Sequence, residues 1–276
     1  MNSMEKYKIA SYIRNSQTRL GICIMKNNGE SDGYQQYLKF NSACCIKSFI
    51  MIEYLRQLEA NHISGREQLI YSKNNYTEGP GKIKYMPFGT AFSIDSLAEF
   101  MIARSDHIAA NMLIDFFDLS EINHTIADFG FPHTILYHKF YLHTLQHVGE
   151  TTPYELALLY KRINNGELIS PEKSELIKKI LLKQKFKDIL TDEIVKNDSK
   201  NYVDVASKSG KLDGRQYNSP VDSCLGDGGI VFTRHGSYSI ALIAEIPVGS
   251  SENVETVKLI LQKISFNIFK RMVDEL

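Results

Sequence analysis

The sequence has no excess of charge of either sign, since 32 basic residues balance 32 acidic ones over 276 residues. Nucleic-acid arms and polybasic membrane anchors both depend on an excess of Lys and Arg on one surface. From this balance we expect that the protein binds neither nucleic acid nor a membrane. With 43% hydrophobic and 23% charged residues, the composition is typical of a soluble globular protein of one large or two medium domains.

A long apolar run is also missing near the start of the chain. Glu5, Lys6, Lys8 and Arg14 all precede the first apolar stretch. A secretory signal needs an apolar stretch of about 7–15 residues, and a membrane span needs about 20. We therefore expect a cytoplasmic protein.

Cysteine is scarce, and no pair of cysteines has the C-x₂-C spacing of a zinc knuckle. The four cysteines are Cys23, Cys44, Cys45 and Cys224. Thiols stay reduced by default in the cytoplasm, so disulfides are not expected. At least one of the four is therefore a candidate for reactivity.

The order of hydrophobic patterns along the chain is strands, many helices, strands and a last helix. Strand patterns cover Leu20–Met25, Tyr34–Phe40, Val203–Ser207, Gly229–Thr233 and Tyr238–Glu245. Helical spacing covers 43–61, 93–104, segments from Ser105 and Pro153, Pro171–Lys183, and a segment from Ser251.

Strands at both ends of the chain predict one sheet assembled from the two termini, with a helical domain inserted between them. We expect an α/β sheet domain of residues 1–40 plus 203–276 and a helical domain of residues 41–202. A cleft between two such domains is where small-molecule sites tend to lie.

Three short segments carry groups that can do chemistry. They are Cys44-Cys45-Ile46-Lys47, Ser105-Asp106-His107 and Lys208-Ser209-Gly210, the last at the end of a predicted strand. A nucleophile three residues before a Lys shares a helix face with it, so the two heads can meet. The start of a helix and an ammonium neighbour both favour a thiolate at Cys44.

These three segments, in this order, resemble the S-x-x-K, S-D-N and K-T-G motifs of class A β-lactamases and penicillin-binding enzymes. The flanking Ala109-Ala110-Asn111 and Thr151-Thr152-Pro153 are similar to the same family. Only the ordered triple is specific, because Ser170-Pro171-Glu172-Lys173 also has the first spacing and is typical of a helix start. The resemblance implies an α+β fold, with an antiparallel sheet built from both termini and flanked by helices.

The resemblance also implies a catalytic role for Cys44, Lys47 and Ser105. Cys44 takes the place of the Ser that attacks the substrate carbonyl, so the acyl-enzyme would be a thioester. Lys47 would be the nearby base or proton relay, and Ser105 would pass a proton to the leaving group.

Further residues would bind the substrate by the same resemblance. Lys208 would hold an anionic group of the substrate or tune Ser105, and the backbone N–H groups of Cys44 and Lys211 would form an oxyanion hole. The implied substrate-binding residues are His107, Lys208, Ser209 and Gly210. No metal and no organic cofactor is implied.

Three departures from the family pattern limit what can be transferred. The nucleophile is Cys44, and His107 stands where Asn is usual. The third is the absence of any acid between Asp128 and Glu150, where class A enzymes carry a deacylation Glu, so efficient β-lactam hydrolysis is not expected. That stretch instead holds His133, His138, His143 and His147, for which we favour packing and surface roles over a substitute base or a metal cluster.

The function favoured by these observations is acyl transfer or hydrolysis of a small amide, ester, thioester or β-lactam through a Cys44 thioester, in a biosynthetic or tailoring step. One alternative is a β-lactamase or peptidase-type hydrolase with low turnover. Another is a non-catalytic ligand-binding homologue. The family's Arg partner for a substrate carboxylate is not evident, because the matching stretch reads Gly228-Gly229-Ile230, and the sequence leaves open whether Arg234, a few residues on, reaches the substrate.

Overall fold

The computed structural model describes residues 9–13, 16–141, 147–215 and 221–276. Its helices are α1 Ile9–Ile13, α2 Lys47–Glu59, α3 Ile94–Ala103, α4 His107–Phe117, α5 Leu119–Asp128, α6 Pro153–Asn164, α7 Pro171–Leu182, α8 Asp188–Asn197 and α9 Val254–Glu275. Its strands are β1 Arg19–Lys26, β2 Ser31–Tyr34, β3 Phe40–Asn41, β4 Gln68–Ile70, β5 Ala91–Ser93, β6 Ile135–Leu136, β7 Gly149–Thr151, β8 Tyr202–Leu212, β9 Ser223–Thr233 and β10 Ser237–Ile246. Within these ranges, no helix has the length and apolar character needed to cross a bilayer.

The main sheet has five antiparallel strands in the order β2-β1-β10-β9-β8. It joins the two ends of the chain, because β1 pairs with β10 along its whole length. The predicted α+β fold with a sheet built from both termini is confirmed.

The second predicted strand is wrong over most of its length. β2 ends at Tyr34, and Phe40 begins β3, which pairs with β7 instead of extending the main sheet. Gln35 has a φ of 48°, so the chain leaves the extended conformation directly after β2.

The Lys208-Ser209-Gly210 segment lies inside β8, whereas the sequence placed it at a strand end. It pairs with Gly228, Asp227 and Gly226 of β9. The sequence did not predict this part of β9 as a strand because it contains Gly226 and Gly228, and glycine is depleted in strands. Gly228 is nevertheless required, since a Cβ there would lie 2.7 Å from Leu156 Cγ on α6.

Two hydrophobic cores lie on the two faces of the sheet. The first packs α2 to α7 against one face, and the second packs α8 and α9 against the other. Ile189 and Ile194 of α8 belong to the second core, although α8 falls inside the segment predicted as the helical domain. We propose the predicted two-domain division with residues 188–197 moved to the sheet side.

Candidate active site

The three motif segments meet where α2 and α4 approach β8. The ammonium Nζ of Lys47 lies 2.7 Å from the Ser105 carbonyl oxygen and 3.3 Å from Ser105 Oγ. The Nζ of Lys208 lies 3.1 Å from the same Oγ. The Ser105 hydroxyl is therefore held between two ammonium groups, both fully buried.

Cys44 lies beside these cations, in a 3-10 turn over Ala43–Ile46 that leads into α2. Burial alone would raise the pKa of the Cys44 thiol. The charge of Lys47, the hydrogen bond from His107 and the charge of Lys208 outweigh it and hold this pKa well below its ordinary value. Burial also lowers the pKa of Lys47 to about 8, against the opposing effect of Cys44. The arrangement favours a thiolate–ammonium pair near neutral pH.

The Asp106 carboxyl fixes the backbone next to Ser105 through four hydrogen bonds. One oxygen accepts the N–H groups of Ile108 and Ala109 at 3.0 Å, which caps α4. The other accepts the N–H groups of Lys82 and Ile83 at 2.6 and 3.0 Å. Since α4 begins at His107 with Asp106 as its cap, the predicted helix start at Ser105 is two residues early.

β8 passes so close to Cys44 that only glycine fits at position 210. A Cβ on Gly210 would lie 2.5 Å from Cys44 N and 2.9 Å from Ala43 Cβ. This approach puts Cys44 and Lys211 on the same cleft. The oxyanion hole formed by their N–H groups remains a prediction.

The cleft has a volume of about 300 Å³ and is lined by both sides of the fold. Its lining residues are Cys44, Pro80, Ser105, Phe186, Asp188, Ile189, Ser209, Gly210, Lys211, Leu225 and Lys258. The Ser209 hydroxyl donates to the Phe186 carbonyl at 2.7 Å, so it ties the outer wall to β8. Two ion pairs, Lys211–Glu255 and Asp188–Lys258, lie on the same wall.

Phe140, which no sequence motif indicates, covers the inner side of the site. Its ring centroid lies 4.4 Å from Lys47 Nζ and 4.9 Å from the His107 ring centroid. Asn111 fixes its backbone, because the side-chain oxygen accepts Phe140 N–H at 2.7 Å and the side-chain nitrogen donates to Phe140 O at 3.1 Å. Asn111 stood in the flank that resembles the family, but no pattern distinguishes Phe140 from Phe129 and Phe131.

The loop histidines that the structure describes make contacts elsewhere. His133 Nδ1 lies 2.8 Å from a Glu155 oxygen, His138 Nδ1 lies 2.6 Å from Lys139 O, and His147 contacts Asn41. His143 lies outside the described residues. In the described part of the chain, no group of three or more His, Cys, Asp or Glu side chains could hold a metal ion.

Arg234 lies far from the cleft. Its N–H donates to Asn201 O, at the end of β8 where Tyr202 pairs with Thr233. Six residues of strand separate that end from Lys208, which is roughly 20 Å at about 3.3 Å per residue. Arg234 therefore does not reach the cleft.

Several solved structures have the same fold as this chain. A beta-lactamase from Sphaerobacter thermophilus has a TM-score of 0.84 at 19% identity, covering 98% of this chain and 97% of that one. PBP-A has a TM-score of 0.80 at 20% identity, covering 97% and 95%. The TLA-1 extended-spectrum beta-lactamase has a TM-score of 0.84 at 18% identity, covering 97% and 98%.

No curated protein sequence matches the chain. A family model described as the beta-lactamase enzyme family matches residues 5–272. The match supports a hydrolase that acts through an acyl-enzyme intermediate. Because the match extends over nearly the whole sequence, the chain belongs to the beta-lactamase enzyme family.

Proposed function

We propose that the protein is an acyl-transfer enzyme that forms a thioester on Cys44. Its substrate is a small amide, ester, thioester or β-lactam, and its role is a biosynthetic or tailoring step. The observation that carries the proposal is the position of the Cys44 sulfur, beside cations that favour its ionised form. A cytoplasmic setting stays a prediction from the sequence.

The first chemical step uses the thiolate of Cys44. Its sulfur attacks the carbonyl carbon, and a C–S bond forms as the carbonyl oxygen becomes an oxyanion. The N–H groups of Cys44 and Lys211 would stabilise that oxyanion, each contributing about 2.7–4 kcal/mol in the transition state. When the intermediate collapses, the bond to the leaving group breaks. The Ser105 hydroxyl donates its proton to that group and regains one from Lys208 or Lys47.

The second step favours transfer to an acceptor over hydrolysis. Hydrolysis requires a water and a base beside the thioester, whereas Phe140 covers Lys47 with an apolar ring. Among the described residues, no carboxylate hydrogen-bonds to Cys44, Lys47 or Ser105. A thioester is aminolysed more readily than an ester, so an amine is a suitable acceptor.

Mass spectrometry tests the proposal directly. The protein is incubated with penicillin G, a chromogenic ester and an acyl thioester, and adducts are mapped by peptide. Penicillin G is a reasonable probe because a variant of the structurally similar PBP-A is an acyl-enzyme complex with it. We expect an adduct on Cys44 with at least one donor, and its faster loss when an amine is added.

Cys44→Ala should lower turnover by at least about 10³-fold, since the nucleophile is lost. Cys45→Ala is the matched control, because burial raises the pKa of that neighbouring thiol. Rapid loss of the adduct in water alone would contradict transfer and favour a hydrolase, whereas slow loss that an added amine does not speed would favour the low-turnover hydrolase. No adduct with any donor would contradict the proposal and favour the non-catalytic binding homologue.

A further inference from the structure

Two departures from the family motifs contact each other. The pattern has Ser at position 44 and Asn at position 107, and this chain has Cys and His. Cys44 Sγ and His107 Nε2 lie 3.4 Å apart, within hydrogen-bond distance for sulfur. The two substitutions are therefore neighbours in space, although 63 residues separate them in sequence.

The surroundings of His107 decide which ring nitrogen carries the proton. Nδ1 is buried and has no hydrogen-bond partner among the described residues. The backbone of Gly79 closes that side, since a Cβ there would lie 2.5 Å from Nδ1. A proton on Nδ1 would be an orphaned buried donor, which is rarer and costlier than a bare acceptor. A proton on Nε2 donates to the sulfur instead.

Phe140 holds the ring in this orientation by packing on it at an interplanar angle of 39°. The main chain of the same residue is fixed separately, because the backbone N–H of His107 donates to Pro80 O at 3.2 Å. Burial and Lys47 lower the pKa of His107, which keeps the ring neutral near pH 7. A neutral ring still donates through Nε2–H and accepts no proton from the thiol.

We propose that His107 is a catalytic residue that donates its Nε2–H to Cys44 Sγ and holds the nucleophile as a thiolate. This assigns the ring a role at the sulfur in place of the predicted role in binding substrate. In the attack, the sulfur electron pair forms the C–S bond and the hydrogen bond from Nε2 is released. No proton leaves His107 in that step. The assignment deepens the proposed function and rests on it.

Other charged groups also face the pair. Lys47 on α2 and Lys208 on β8 are cations, and Lys84 reaches the neighbouring Gly79 carbonyl at 2.9 Å. Asp106 is occupied by its four backbone donors. These groups affect the thiolate alike in every His107 variant, so a comparison of the variants isolates the effect of the His107 ring on the pKa of Cys44.

The test is the pH dependence of Cys44 alkylation by iodoacetamide, followed by mass spectrometry of the Cys44 peptide. His107→Gln keeps an N–H donor at a similar reach, and His107→Leu removes it. We expect the apparent pKa of alkylation to rise by about one unit in the Leu variant, which lowers the rate about tenfold at pH values below that pKa. The Gln variant should stay close to wild type. Circular dichroism and thermal melting verify that each variant is folded.

The proposal is overturned if the Leu variant keeps the wild-type profile, or if the Gln variant shifts as far as Leu. Because alkylation needs no acyl donor, the two proposals fail separately. If the Cys44 pKa is low and depends on His107 but no donor acylates Cys44, the proposed function is contradicted and the role of His107 stands. If Cys44 is acylated normally but the His107→Leu variant has the wild-type alkylation profile, the role of His107 is contradicted and the proposed function stands.

Discussion

Gly210→Ala tests whether the close approach of β8 positions the reacting sulfur. The added Cβ would lie 2.5 Å from Cys44 N, against about 3.4 Å for ordinary contact. Because the nearest atom belongs to the backbone, either β8 or the turn carrying Cys44 must move by roughly 0.9 Å. A misplacement of about 1 Å can cost 10²-fold in rate. We therefore expect acylation of Cys44 to slow about a hundredfold.

The measurement is the time course of adduct formation by intact mass, with the donor that acylates wild type fastest. Gly226→Ala is the matched control, because its Cβ would lie 2.7 Å from the Leu242 carbonyl oxygen on β10, also a backbone atom. Both variants should melt at a lower temperature, but only Gly210→Ala should acylate slowly once the folded fraction is equalised. Acylation of Gly210→Ala within about twofold of wild type would refute the positioning argument.

Three further predictions follow from the site. Phe140→Leu should speed loss of the acyl group in water at least several-fold, because the smaller side chain uncovers Lys47; an unchanged adduct lifetime would contradict the shielding. Cys44 has a pKa in the folded protein well below its unfolded value of 9.0. At pH values between the two, unfolding takes up a proton, so the free energy of unfolding relative to Cys44→Ser should rise with pH. Thermal melts of both proteins at pH 6 and pH 8, in reducing buffer, measure this, and a difference independent of pH would contradict it. Asp106→Ala should lower the free energy of unfolding by about 0.5–2 kcal/mol or more, because four N–H groups lose their acceptor, and chemical denaturation measures it.

The ordered motifs and the strand patterns at both ends were enough to predict the fold. The helix predicted over 93–104 is confirmed as α3, which Ser93 caps by accepting from Ser96 N. These features are local in sequence or repeat at a fixed period, so the residue types alone are enough to predict them.

The parts that the sequence did not predict depend on contacts between distant segments. Phe140 acquires its position from Asn111, 29 residues away, and from the ring of His107. The Cys44–His107 contact arises only when α2 and α4 pack side by side. No helix was predicted over the residues of α8, so its docking on α9 in the second core was not predicted either.

Neutral hydroxylamine treatment of the acylated protein decides whether the acyl group is bound to sulfur or to oxygen. Hydroxylamine at neutral pH cleaves thioesters rapidly and leaves ordinary esters intact, so it separates an acyl group on Cys44 from one on Ser105. We expect the adduct to map to the Cys44 peptide and to disappear within minutes, with the free thiol restored. An adduct that resists hydroxylamine, or that forms equally in Cys44→Ala, would contradict it.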